Sequence, residues 1–203
     1  MLTQVLDLVF PRRTVGSWMT DEEWERIPRR MRVEEGIDGL PHSLVSATHY
    51  HDFIVLRRAI HMLKYRKASS LIEWVGEILY ETVGDFITTD TVLCPVPLHW
   101  RRKFDRGFNQ AELLANYLSM KSGCTVSNLL KRTRNTGNQT LRCRSERLIA
   151  VQNAFAYRAK EVAPRQVVLI DDIVTTGATL NACSKVLMKH GVQEVDAWVV
   201  ARG

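Results

Sequence analysis

Two neighbouring carboxylates are followed closely by a run of threonine and small residues. Asp171 and Asp172 precede Ile173 and Val174, and the run after them is Thr175, Thr176, Gly177, Ala178 and Thr179. Adjacent carboxylates can accept hydrogen bonds from the 2′ and 3′ hydroxyls of a ribose and favour a nearby Mg²⁺, held directly or through other groups. A glycine turn that opens a helix offers free N–H groups to an anion, and threonine hydroxyls add donors. The segment predicts ribose and Mg²⁺ contacts at Asp171 and Asp172 and a 5′-phosphate site at residues 175–179. The alternative is a helix N-cap followed by a threonine-rich turn.

A second segment has the chemistry of a pyrophosphate site. Two prolines, Pro95 and Pro97, fix the backbone after an apolar strand, and four cations follow between residues 101 and 106. Backbone amides with a cationic rim can hold a pyrophosphate. The residues that we expect to contact it are Pro97, Leu98, His99, Arg101 and Arg102. The alternative is a solvated basic loop capped by Asn109.

A third segment, residues 131–147, is strongly basic. It has six Lys or Arg residues and one acid, Glu146, separated by polar residues that cannot form a core face. We expect a flexible lid that closes over a charged substrate and excludes water. Its predicted contacts are Arg132, Arg134, Gln139, Arg144 and Arg147. A solvated loop or a nucleic-acid contact remains the alternative.

Hydrophobic periodicity predicts the elements that position these segments. Apolar runs predict strands at residues 45–50, 91–94, 167–170 and 195–200, and apolar residues at helical spacing predict helices around residues 56–63, 71–79, 111–118 and 180–187. Gly191 occupies the usual position after a helix. Strands that alternate with helices imply right-handed crossovers, so the fold class is α/β with a doubly wound parallel sheet.

The string from Val167 to Thr179 resembles the 5-phosphoribosyl-1-pyrophosphate (PRPP) motif of type I phosphoribosyltransferases. Together with PVPLHWRRKFDRGFNQAELLA and KRTRNTGNQTLRCRSERLIAVQNAF, it resembles the ComF/GntX family of PRPP-fold proteins linked to competence and DNA utilisation. The resemblance covers residues 42–203. It implies a type I phosphoribosyltransferase sheet with a small N-terminal hood or appendage.

The sequence departs from that family in residues 1–41. The family usually carries a cysteine-rich zinc ribbon there, but residues 12–30 contain no cysteine. The four cysteines (Cys94, Cys124, Cys143 and Cys183) are scattered, without the close pairs of a zinc site. We therefore predict two units, a degenerate ribbon region at 1–41 without zinc and a phosphoribosyltransferase-like domain at 42–203.

Charge and hydropathy limit the classes of partner. The net charge is +6, with −2 in residues 1–40 and +8 in the remainder, which favours phosphates on a small ligand or on nucleic acid. No apolar run is long enough to span a bilayer, and the N-terminus has no small-residue cleavage site. We expect a cytoplasmic protein and leave a homodimer open.

Two functional hypotheses follow. The first is Mg²⁺-dependent transfer of a phosphoribosyl group from PRPP to an unidentified acceptor. The second is a non-catalytic PRPP-fold module in competence or DNA uptake that contacts single-stranded DNA. Trp100, beside the basic loop, can stack on a base, and the alternative is that it simply packs the loop. The second hypothesis has a weakness, because no aromatic residue lies among the cations between Lys131 and Arg147.

Overall fold

The computed structural model describes residues 43–51, 54–63, 71–100, 104, 107–134, 153–158 and 162–203, together with the backbone of Arg32 and Val33. In chain order the elements are β1 (Arg32–Val33), β2 (Leu44–His49), α1 (Ile54–Met62), α2 (Leu71–Val83), a 3-10 turn (Gly84–Phe86), β3 (Val92–Pro95), α3 (Gln110–Ser122), β4 (Thr125–Val126), β5 (Leu130–Arg132), β6 (Phe155–Tyr157), β7 (Gln166–Val174), α4 (Ala178–Lys189) and β8 (Glu194–Arg202).

The main sheet has six strands in the order β1-β2-β8-β7-β3-β4. Strands β2, β8, β7, β3 and β4 run parallel, whereas β1 pairs antiparallel with β2 at one edge. The parallel strands require crossover helices, and these cover both faces of the sheet. The predicted doubly wound α/β sheet is confirmed.

Each face of the sheet has its own hydrophobic core. On one face, α1, α2 and α3 pack against side chains such as Val168, Ile170 and Trp198. On the other face, α4 and the antiparallel pair of β5 and β6 cover Leu169 and Val199. Successive residues of β7 and β8 enter opposite cores, so these strands are apolar along most of their length.

The predicted helices and strands of the 42–203 region are confirmed, with one informative difference in β7. We expected this strand to end before Asp171, but it continues to Val174 because residues 171–174 pair with β8. β8 likewise extends to Arg202. The carboxylates therefore lie on a strand rather than in the loop after one.

The appendage predicted at residues 1–41 lies outside the described residues except for β1. Arg32 and Val33 pair with Val45 and Leu44, so this short piece adds a strand to the sheet. The boundary at residue 41 stays a prediction. Among the described residues, no helix is long and apolar enough to cross a membrane.

Candidate functional site

The order of the strands places a ligand site between β3 and β7. From β3 the chain crosses to β4 through α3 on one face, and from β7 it crosses to β8 through α4 on the other face. Adjacent strands whose connections leave in opposite directions form a crevice at their carboxyl ends. The predicted ribose-phosphate segment leaves β7 at this crevice, and the predicted pyrophosphate segment leaves β3 there.

Asp171 and Asp172 are held at the crevice by the backbone. Oδ1 of Asp171 accepts a 2.9 Å hydrogen bond from the N–H of Asp172, and Oδ1 of Asp172 accepts one of 2.8 Å from the N–H of Ile173. Both side chains are partly buried. These bonds fix the orientation of two carboxylates that belong to neighbouring residues.

The environment of Asp171 opposes the ionisation of its carboxyl group. Burial raises the pKa of Asp171 well above its ordinary value, and the negative charge of Asp172 raises it further. The nearby positive charge of Arg132 lowers the pKa of Asp171 in part. A pair of this kind favours a ligand that supplies hydroxyl donors or a cation.

The phosphate segment forms a tight turn into α4. Gly177 has φ +69° and is the N-cap of the helix, and its carbonyl accepts a 2.8 Å hydrogen bond from the N–H of Asn181. The hydroxyl of Thr176 accepts a 3.4 Å hydrogen bond from the N–H of Ala178. Thr175 is exposed, while Thr176 and Thr179 are partly exposed. This arrangement presents hydroxyls and the positive end of α4 to an anion.

The segment after β3 is anchored by buried polar side chains. Asn109 caps α3, since its Oδ1 accepts from the N–H of Ala111 at 3.3 Å, and its Nδ2 donates to the carbonyl of Val96 at 3.0 Å. His99 is only 4% exposed, with its ring 5.6 Å from that of Trp100. Pro97 and Leu98 are partly buried. Asn109 is thus the cap that the sequence indicated, and it also ties the start of the loop to α3.

Two of the residues predicted for pyrophosphate binding, Arg101 and Arg102, lie outside the described residues. The same is true of three predicted lid residues, Gln139, Arg144 and Arg147. Their roles stay predictions.

We predicted that Arg132 lies in a loop, but the structure places it on a strand. It lies in β5 opposite Phe155 of β6, and its guanidinium carbon is 5.3 Å from the centre of the Phe155 ring. Arg134 follows the strand and is exposed. The first basic residues of the predicted lid, Lys131 and Arg132, therefore belong to an antiparallel strand pair that packs on the sheet, because Leu130 and Phe155 enter the core of that face.

Sequence reasoning did not anticipate the wall beside the phosphate turn. The N–H of Gly203 donates to the carbonyl of Val174 at 2.8 Å, and the N–H of Tyr50 donates to the carbonyl of Arg202 at 2.7 Å. These bonds bring the ends of β2 and β8 next to Thr175. The sequence predicted parallel strands, whose carboxyl ends lie at one edge of the sheet. It did not indicate which residues meet at that edge.

The cysteines and histidines do not form a metal centre in the part of the chain that the structure describes. No group of three or more His, Cys, Asp or Glu side chains is suitably placed there. Cys94, Cys124 and Cys183 are free thiols in the core, and Cys143 is not among the described residues. The carboxylates at Asp171 and Asp172 nevertheless supply the hard oxygen ligands that Mg²⁺ prefers.

The crevice between β3 and β7, with paired carboxylates and a threonine turn on β7, defines a domain of the phosphoribosyltransferase type. A family model described as "Phosphoribosyl transferase domain" matches residues 64–203. The chain belongs to this family, and the relatives below support its resemblance to ComF proteins.

Three relatives have names from competence and DNA utilisation. Competence protein F of Haemophilus influenzae is 35% identical over 151 residues, which cover 70% of this chain and 66% of the relative. DNA utilization protein YhgH of Escherichia coli K12 is 33% identical over 149 residues, covering 70% and 65%. Competence protein ComFC of Bacillus subtilis is 36% identical over 158 residues, covering 71% and 63%. The chain spans slightly less than two thirds of the length of each.

Solved structures show more distant similarity. The allosteric regulatory enzyme of purine biosynthesis is 17% identical, with a TM-score of 0.46 over 69% of this chain and 30% of that one. A hypoxanthine phosphoribosyltransferase from Staphylococcus aureus is 12% identical, with a TM-score of 0.40 over 64% and 62%. The fold assignment rests on the strand order and the family match and not on these solved structures.

Proposed function

We propose that the chain binds PRPP and transfers its phosphoribosyl group to a nitrogen nucleophile. The observation that carries the proposal is the position of the segment from Asp171 to Thr179, which forms the end of a central strand and the turn after it at the crevice between β3 and β7. Ligands of open α/β sheets bind at this kind of crevice. A ribose-phosphate site there suits both the chemistry of the segment and the family.

In this proposal each segment contacts one part of PRPP. Asp171 and Asp172 accept hydrogen bonds from the ribose hydroxyls, and residues 175–179 hold the 5′-phosphate. Residues 97–102 hold the pyrophosphate, and the basic segment up to Arg147 excludes water. The bond from the ribose C1 to pyrophosphate breaks, a bond from C1 to the nucleophilic nitrogen forms, and that nitrogen loses its proton.

We also propose Mg²⁺ as the partner of PRPP. The fit rests on the two carboxylates, since burial and the charge of Asp172 raise the pKa of Asp171 and a cation relieves that repulsion. Bound with PRPP, Mg²⁺ supplies positive charge that stabilises the departing pyrophosphate. Asp171 and Asp172 are the residues that would hold it, directly or through the ribose.

Calorimetry with PRPP in the presence of Mg²⁺ tests the site. We expect saturable binding by the wild type and loss of binding in the double variant Asp171→Asn/Asp172→Asn. Asp90→Asn makes the same chemical change at an exposed carboxylate on the opposite edge of the sheet and should bind PRPP normally. No binding by the wild type, or equal binding by the double variant, would refute the proposal.

The transfer step has a separate test. Pyrophosphate release should be measured with purines, pyrimidines, orotate and small amines as acceptors. Release with one acceptor class supports an enzyme and identifies its substrate. Binding of PRPP without release across the whole panel contradicts the transfer step and favours a binding module.

A second candidate function is contact with single-stranded DNA, and exposed aromatic residues favour it. Trp100 is 64% exposed and Phe104 is 76% exposed, and they bracket Arg101, Arg102 and Lys103 in the sequence. Aromatic rings among cations are the usual means of binding single strands, because bases stack on the rings while cations pair with phosphates. The names of the competence and DNA-utilisation relatives agree with this candidate.

Filter retention of a labelled oligothymidylate tests this second function. We expect retention that falls steeply as salt rises, and a loss of retention in Trp100→Ala/Phe104→Ala. Phe86→Ala removes an exposed aromatic residue at the opposite edge and should retain the strand. Absence of retention at low salt would dismiss the candidate.

The buried free thiols Cys94, Cys124 and Cys183 support a cytoplasmic location, where thiols stay reduced. Export of a reporter protein fused to this chain would contradict that location.

The homodimer stays a prediction, and light scattering at several protein concentrations tests it.

A further inference from the structure

A cavity of about 330 Å³ lies at the edge of the sheet opposite the ribose-phosphate site. Gln166, the first residue of β7, and Ser43, which precedes β2, stand at its rim. Asp171 lies five positions after Gln166 along β7, which corresponds to about 16 Å of extended strand. The cavity is therefore distinct from the crevice between β3 and β7.

The floor and one wall of the cavity are apolar. Val45, Val168 and Trp198, from three adjacent strands, form the floor. Phe86, which is 51% exposed, lines the wall at the end of the 3-10 turn after α2. The neighbouring turn is held by a 2.9 Å hydrogen bond from the N–H of Thr88 to the hydroxyl of Thr91. The cavity is thus enclosed by a sheet and a braced turn.

The polar chemistry of the cavity centres on the carboxylate of Asp196. Its Oδ1 accepts hydrogen bonds from the hydroxyl and the N–H of Ser43 at 2.6 and 3.1 Å, and its Oδ2 accepts one from Nε2 of Gln166 at 3.0 Å. Three bonds hold this carboxylate in place before any ligand arrives. A second carboxylate, Asp90, lines the same cavity.

The balance of charge in the cavity is opposite to that of the surrounding domain. Among the described residues that line it, two are acidic and none is Lys, Arg or His. Residues 41–203 carry a net charge of +8, so the acids do not follow the general composition. The aromatic rings of Trp198 and Phe86 add surfaces that attract cations. These features disfavour a phosphate and favour a positively charged ligand.

We propose that this cavity binds a small organic cation, an amine or guanidinium on a short apolar body. The cationic group pairs with the carboxylates of Asp196 and Asp90, and the apolar body contacts Trp198, Phe86 and Val168. The volume lies near the lower end of the range of about 300–1,000 Å³ for small-molecule pockets. The site accepts a compact ligand and differs in charge preference from the phosphate site on the opposite edge.

Calorimetry with agmatine tests the proposal, because agmatine has an amine and a guanidinium on a short aliphatic chain. We expect saturable binding of one agmatine per chain and little or no binding of glutarate or pentanol. Asp196→Asn preserves an acceptor for Ser43 but removes the charge, and it should weaken binding about tenfold. Phe86→Leu, at a position that is 51% exposed, should weaken binding by a smaller factor.

Matched control variants test whether the cation binds in this cavity. Glu73→Gln removes an acid at the start of α2, away from the cavity, and should leave the affinity unchanged. Asp171→Asn/Asp172→Asn should also bind agmatine normally. The proposal is overturned if the wild type does not bind agmatine at millimolar concentration, if Asp196→Asn binds it equally well while melting like the wild type, or if the 171/172 variant loses the binding.

Discussion

The N–H of Val96 donates a hydrogen bond of 2.9 Å to the carbonyl of Ile170. This bond lies where β3 ends, at Pro95, whereas β7 continues beside β8 to Val174. Among the described residues, Asp171 is therefore paired with β8 on one side and with no strand on the other. The crevice for the ligand follows from the unequal length of two neighbouring strands.

This position gives Asp171→Asn an expected effect on stability as well as on binding. Because the folded-state pKa of Asp171 is raised, the folded chain keeps a proton that the unfolded chain loses above about pH 3.9. The free energy of unfolding of the wild type then falls as the pH rises through that window. Asp171→Asn should be more stable than the wild type near pH 7 and should lose this advantage near pH 4.

Urea denaturation with EDTA and without phosphate measures the effect, with Asp90→Asn as a control for the same chemical change at an exposed carboxylate. Equal stability of Asp171→Asn and the wild type near pH 7 would contradict the prediction. A more stable variant that no longer binds PRPP is the expected result of replacing a functional carboxylate whose ionisation burial opposes.

Gly177 offers a second test, because its φ of +69° disfavours every residue with a Cβ. Gly177→Ala should lose about 1 kcal/mol of stability and most of its PRPP affinity, since relaxation of the turn moves the phosphate donors. Gly123 has φ +77° at the end of α3, with open space where a Cβ would lie, and is the matched control. Gly123→Ala should lose similar stability but bind PRPP normally. Equal PRPP affinities of Gly177→Ala and Gly123→Ala would contradict the assignment of the phosphate site to the turn at Gly177.

The sequence predicted the central elements because burial imposes periods of 2 and 3.6 on their apolar residues. It did not predict β5 and β6, since Leu130–Arg132 and Phe155–Tyr157 are too short to show a period. Arg132 was therefore assigned to the basic loop that follows it. The extension of β7 was missed because aspartate is rare in strands, although β8 supplies backbone partners as far as Val174.

The ribose-phosphate segment was visible in the sequence because all its groups lie within nine consecutive residues. The cavity at the opposite edge was not visible, because Ser43, Phe86, Gln166 and Asp196 are far apart in the chain. Only the strand order β2-β8-β7-β3 brings them together. Sites built from one loop can be read from local sequence, and sites built from sheet topology require the fold.

The thiol of Cys94 should be unreactive in the folded protein. Burial raises its pKa to about 12, so the nucleophilic thiolate is scarce at neutral pH. Brief iodoacetamide treatment near pH 8, followed by peptide mass analysis, should leave Cys94 unmodified in buffer and modified in urea. Stability should also fall as the pH rises above about 8.5, where the unfolded thiol ionises first. Rapid native modification of Cys94 would show that the strand β3 is less protected than the structure indicates.

Asn109 should contribute to both stability and ligand binding, because it caps α3 and also holds the carbonyl of Val96 at the start of the predicted pyrophosphate segment. Asn109→Ala removes both contacts and should cost about 1–2 kcal/mol of unfolding free energy. Asn109→Ser restores an oxygen for the N–H of Ala111 but is too short to reach Val96. We therefore expect Asn109→Ser to recover part of the stability in urea denaturation while its PRPP affinity, measured by calorimetry, stays as low as that of Asn109→Ala. If stability and PRPP affinity recover together in Asn109→Ser, the Val96 contact does not position the segment, and Asn109 acts on the site only through the helix.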